Sequence, residues 1–83
     1  MIDENIFRAI MTLPSKKTTL LLMGINILTK YAKVELKTNE NGSVYYVADL
    51  DKLMKSDITQ DELTELRNGD WSIENDKIIK YLK

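Results

Sequence analysis

The 83-residue chain contains no cysteine and no histidine. The first absence excludes disulfide staples and thiolate metal sites, and it leaves the redox compartment undetermined. The second removes the commonest general base and the commonest metal ligand together. Neither a zinc site nor a histidine-containing triad is therefore expected. Proline occurs once, at Pro14, and the three glycines stand apart at Gly24, Gly42 and Gly69. No glycine-rich phosphate loop can be assembled from them. Long apolar runs are missing too. The greasiest segment, Leu20–Leu28, includes Asn26 and falls far short of the roughly 20 apolar residues that cross a bilayer. There is no internal repeat and no low-complexity tract.

What is present suffices for one small folded domain over residues 1–83. Hydrophobic residues make up 43% of the chain, well above the composition of a disordered segment. A chain of this length buries a modest fraction of its surface and is marginally stable alone. Lysine, isoleucine and asparagine supply 25 of the 83 residues, a bias expected of an AT-rich bacterial or phage genome. The net charge of −1 is unevenly spread: residues 1–30 carry +2, residues 49–76 carry −6, and Lys77, Lys80 and Lys83 close the chain. A cytoplasmic location is the expectation.

The apolar segment from Thr18 to Tyr31 organises the rest. Read as a helix, it places Leu20, Met23 or Gly24, Ile27, Leu28 and Tyr31 on one stripe, and Leu21, Leu22 and Ile25 widen that stripe almost to the full circumference. Such a helix is normally buried on most sides. Lys16 and Lys17 ahead of it invite a secretory-signal reading. The long amphipathic leader and the lack of a small-x-small site after Leu28 favour a core helix instead.

Ahead of this segment, Asp3 caps a first helix, with Ile2 and Phe7 placed as a hydrophobic staple and Ile6, Phe7, Ile10 and Met11 on one face. Pro14 ends it. Ser15 is then expected to cap the central helix, with Lys16 and Lys17 in its first turn against the helix dipole. After Tyr31 the period changes to alternation. Val34, Leu36 and Thr38 oppose Glu35 and Lys37, and Asn41-Gly42 signals a hairpin into Val44–Val47. A two-residue or four-residue loop predicts a buried face of Val34, Leu36, Tyr45 and Val47, leaving Val44 and Tyr46 outward. An isolated hairpin is marginal in water, so that outward pair is a candidate interface through which a second hairpin could complete a sheet. An EF-hand register over the same loop puts Lys37 first and Ala48 twelfth, which rules out calcium.

The acidic third reads as short helices. Asp49 caps Leu50, Leu53 and Met54, and Thr59-Gln60-Asp61-Glu62 forms a capping box, with Ile58 and Leu63 as a staple and Asn68-Gly69 as the stop. For Trp71 to Lys83 a helix capped by Ser72 is favoured. A hairpin turning at Asn75-Asp76 is the alternative. The expected fold is therefore α+β: two N-terminal helices, one antiparallel hairpin over about 33–48, then two or three short C-terminal helices.

Function is legible mostly by exclusion. The carboxylates at Asp49, Asp51, Asp61, Glu62 and Glu65 are accounted for as caps and first-turn acids, and glycosidase-type chemistry needs a deep cleft that so small a chain seldom encloses. A helix-turn-helix over Thr59–Arg67 and Ser72–Lys83 would offer Ile73, Glu74, Asn75 and Asp76 to the bases, the wrong charge for DNA. The expectation is a non-catalytic protein-binding or regulatory module that takes no cofactor, metal or small-molecule ligand, with a second copy of itself as one candidate partner. Val44, Tyr46, Asp49, Asp51, Asp61, Glu62 and Glu65 are the candidate contact residues. An acidic inhibitor or nucleic-acid mimic is the competing reading. A weak nucleic-acid binder using Lys16, Lys17 and the C-terminal lysines is the third. Association with nucleic acid or a membrane is not expected.

Overall fold

The computed structural model describes residues 2–82. Its elements run α1 (Glu4–Met11), α2 (Leu21–Thr29), β1 (Val34–Thr38), β2 (Val44–Asp49), α3 (Leu50–Met54), α4 (Gln60–Asn68), β3 (Ser72–Glu74) and β4 (Lys77–Tyr81). The four strands form one antiparallel sheet in the order β1-β2-β4-β3. The α+β class is as expected. The sheet is twice as wide as a single hairpin because the C-terminal segment is a second hairpin.

That second hairpin corrects the favoured helix over residues 71–83. Asn75 takes a left-handed conformation at the turn, with φ of 55°. Beyond it, Ile78 and Ile79 are both buried on opposite faces of the sheet. A central strand flanked by β2 and β3 gives both isoleucines cover, one on each face. The helix-turn-helix arrangement is thereby removed. Lys83 lies outside the described residues.

The helix starts obey their local chemistry where a capping side chain exists. The Asp3 carboxylate accepts from the Asn5 N–H at 2.7 Å, and Asp49 accepts from Asp51 N–H and Lys52 N–H. Thr59 and Glu62 close the full capping box. At the far end of α4 the helix stops at Gly69, yet Gly69 keeps φ at −90°. The left-handed residue is Asp70, with φ of 69°.

The central helix starts later than expected. Ser15 does not cap it. The Ser15 hydroxyl accepts from the Lys17 N–H, and Lys17 itself is left-handed, with φ of 53°. The linker is held to α4 instead. Arg67 Nε donates to the Leu13 carbonyl, the Thr19 N–H donates to the Asn68 carbonyl, and the Thr19 hydroxyl donates to Glu65 at 2.8 Å. α2 therefore begins at Leu21 with no side-chain cap.

The core lies between the helices and one face of the sheet. Phe7, Met11, Leu28, Ala48, Leu50, Leu53, Ile58, Leu63, Leu66, Trp71 and Ile78 are its buried members. Trp71 is the largest, and it sits against two glycines. A Cβ at Gly24 would stand 2.4 Å from Trp71 Nε1, and one at Gly69 would stand 3.2 Å from Trp71 Cδ1. α2 thus approaches the indole at a distance only glycine permits. The indole N–H finds no acceptor among the described residues.

Candidate interaction surface

Three surfaces could carry function: the sheet face away from the helices, the acidic segment, and the outer side of α2 with the neighbouring sheet edge. Their geometry depends first on the β1–β2 register. Asn39 organises a connection over residues 39–43. Its side-chain oxygen accepts from the Asn41 and Ser43 N–H groups, its own N–H donates to the Ser43 carbonyl, and Gly42 supplies the positive φ of 80°. The loop is one residue longer than the longer of the two expected loops. Leu36 therefore pairs with Tyr46, and Thr38 with Val44.

A one-residue slip exchanges the two faces of a strand. Val34, Leu36, Val44, Tyr46 and Ala48 share the helix-covered side with Ile78. The expected outward pair Val44 and Tyr46 thus points inward. Tyr46 is half-buried with its ring centroid 6.4 Å from that of Trp71. Tyr45 and Val47, expected inside, lie on the open face. There Val47 pairs with Ile79, and both are buried although neither belongs to the core cluster. Tyr45 and Tyr81 pack beside them in a tilted pair, 5.5 Å between centroids. Glu35, Lys37, Asp49, Lys77 and Glu74 border that patch on the same face by the pairing parity. The open face is of mixed sign and its apolar centre is already covered.

The acidic candidates are engaged within the fold. Asp49 caps α3, and Asp51 pairs with Lys55 at 3.1 Å. Asp61 lies in the first turn of α4, and Glu65 receives the Thr19 hydroxyl. Glu62 is the most committed. It accepts from the Tyr31 hydroxyl at 2.6 Å, from Lys30 Nζ at 3.0 Å and from the Thr59 N–H at 3.0 Å. Partial burial alone would push its carboxyl upward. The hydrogen bonds from Tyr31, Thr59 and Lys30 outweigh that effect and hold it at about 2. The same hydrogen bond, together with partial desolvation, raises the Tyr31 hydroxyl, so it remains a donor. Glu62 is the joint between α2 and α4. Val44, Tyr46 and the five acids are not gathered into one patch: the first two lie under the helices, and the acids are shared among two helix starts and the α2–α4 joint. Among the described residues no three carboxylates converge to hold a metal ion.

The outer side of α2 is different. Gly24 and Leu28 are buried and Leu21, Ile25 and Ile27 partly so, but Leu20 is 71% exposed, Leu22 66% and Met23 47%. The expectation that this helix is enclosed on most sides is therefore corrected: it is half covered. A sheet on one side and α4 on another leave the outward half of an apolar helix in solvent. α2 also packs along β1, and on β1 Leu36 is 57% exposed although it points to the helix-covered side. Lys30 and Tyr31 mark the side of α2 that meets α4. By helical spacing Leu22 and Ile25 lie on the side away from it. No periodicity argument could have found Leu36, because its exposure comes from its strand being an edge. No helix among the described residues is long and apolar enough to cross a membrane. No family model, curated protein or solved structure matches the chain.

Proposed function

We propose that this chain is a non-catalytic protein-binding module that docks through the exposed half of α2, with a second copy of itself as the first partner to test. One observation carries the reading: Leu22 and Met23 on α2, and Leu20 just ahead of it, remain 66%, 47% and 71% exposed. Covering a large aliphatic side chain is worth about 1.5–3 kcal/mol. Contiguous exposed apolar side chains on a small soluble domain mark a contact surface more often than an accident. Of the acids that would define a nucleic-acid mimic, Asp49 is occupied as a cap, Glu62 in the α2–α4 joint and Glu65 by the Thr19 hydroxyl. Lys77, one of the lysines that would serve a nucleic-acid binder, sits in the sheet between Asp49 and Glu74.

The test compares the intact chain with Leu22→Lys/Met23→Lys by light scattering, with circular dichroism as the check on folding. Both positions face solvent, so the variant should melt close to the parent. The parent should show a mass above the 9.6 kDa of one chain, rising through the micromolar range, and the variant should return to one chain. A parent that stays at one chain throughout overturns the proposal.

A further inference from the structure

The most informative unpartnered feature is the β1 edge itself. The Asn39 N–H donates to Ser43 across the hairpin, so odd-numbered residues of β1 turn their backbone groups toward β2. The Leu82 N–H donates to the Val44 carbonyl, which agrees: even-numbered residues of β2 face β4. The N–H and C=O groups of Val34, Leu36 and Thr38 therefore point out of the sheet at an edge that no described residue covers by strand pairing. The opposite edge, β3, has three residues against five.

We propose that two copies of this chain join edge to edge through β1, antiparallel, about a two-fold axis at Leu36; this rests on the protein-binding reading and names its partner. The sequence of the strand is Val34-Glu35-Leu36-Lys37-Thr38. Centred on Leu36, all five residues pair. Leu36 meets Leu36 of the second copy, and Val34 meets Thr38. Each of these is an outward-pointing residue, so each pair exchanges two backbone hydrogen bonds. Glu35 meets Lys37 twice, as closely spaced non-hydrogen-bonded pairs on the open face. A shift of the axis by one residue in either direction would oppose Glu35 to Glu35 or Lys37 to Lys37, so the charges select this register. Neither Glu35 nor Lys37 has an ion-pair partner among the described residues. On the other side of the joined sheet the exposed Leu36 side chains meet on the face that carries α2, which packs along β1. The interface is isologous and closes at two copies. It uses the edge that most needs covering.

The experiment uses Glu35→Lys and Lys37→Glu separately and as an equimolar mixture. Each variant alone opposes like charges at both symmetry-related pairs and should associate roughly tenfold more weakly than the parent. The mixture sets two lysines of one chain against two glutamates of the other and should regain parent-like association, as mixed dimers. In the parent, the amide hydrogens of Val34, Leu36 and Thr38 should exchange more slowly as concentration rises. Variants that associate like the parent, or a mixture no stronger than its components, overturn the strand pairing. If the parent still forms dimers abolished by Leu22→Lys/Met23→Lys while the Leu36 amide exchanges freely, the docking surface stands and the β1 junction falls. A parent that never exceeds one chain removes both.

Discussion

Gly24→Ala separates local propensity from tertiary packing more sharply than any other substitution in this chain. Gly24 lies inside α2 with no left-handed φ. Helix propensity alone predicts that alanine stabilises such a position by about 0.5–1 kcal/mol. The packing predicts the reverse. The new Cβ would stand 2.4 Å from Trp71 Nε1, 3.2 Å from Cε2 and 3.3 Å from Cδ1. These atoms belong to a rigid ring that is fully buried, and it is pressed from a second side by Gly69. The indole cannot yield as the tip of a flexible chain would, so α2 must lift away from the sheet. Overpacking of this kind costs about 1–3 kcal/mol. The balance is a net loss of about 1–2 kcal/mol after the propensity gain, and each kcal/mol lowers the melting temperature by about 4–8 °C in a domain of this size. Equilibrium urea unfolding, followed through the fluorescence of Trp71, reads the loss as a lower midpoint. Replacing the rigid indole by the flexible aliphatic side chain of Trp71→Leu removes Nε1 and Cε2, and in that background, followed by circular dichroism, Gly24→Ala should be neutral or favourable. A raised midpoint in the parent, or equal effects in both backgrounds, would refute the packing argument.

Three further outcomes follow from the same geometry. Glu62 has a folded-state value of about 2 against an ordinary 4.5, so its contribution is present above about pH 4.5 and is lost as pH falls toward 2. Glu62→Gln should lower stability by about 1–2 kcal/mol at neutral pH through the cap and the charged hydrogen bonds. The difference from the parent should shrink across that acid window in pH-dependent melting curves. A difference that stays constant with pH would separate Glu62 from the α2–α4 joint. Tyr46→Lys should destabilise the fold itself by about 2–4 kcal/mol, because Tyr46 packs on Trp71 beneath the helices; a variant that melts like the parent would return Tyr46 to the outer face. Asn39→Ala should cost about 1 kcal/mol through two lost backbone hydrogen bonds, whereas Asn41→Ala, exposed and with no such bonds from its side chain among the described residues, should cost less in the same urea titration. The opposite order would restore the short loop.

The comparison of Asn39 with Asn41 also shows where the sequence was readable. Capping is a dialogue between residues two or three apart, so Asp3, Asp49 and the Thr59–Glu62 box could be placed without coordinates. The Asn41-Gly42 turn was placed correctly as a turn, but Asn39 decides how many residues it encloses, and a single residue inverts both faces. The class and the first hairpin were therefore legible while the facing of Val44, Tyr45, Tyr46 and Val47 was not. The C-terminal segment was misread for another reason. Ile78 and Ile79 satisfy a helical stripe and a two-sided strand equally well, and only the neighbouring strands decide between them. The surplus of apolar surface on the central helix was visible from composition alone. Which half stays exposed depends on Gly24 seating against Trp71, a contact between residues 47 positions apart.

The central claim is that the exposed half of α2 is a contact surface driven by apolar burial. Sedimentation equilibrium of the intact chain over micromolar concentrations, at low and at high salt, tests it most directly. The claim predicts a mass that climbs from 9.6 kDa toward twice that value and largely keeps that climb when salt is raised, since apolar contacts are not screened. A single-chain mass at every concentration, or an association that vanishes with salt, contradicts it.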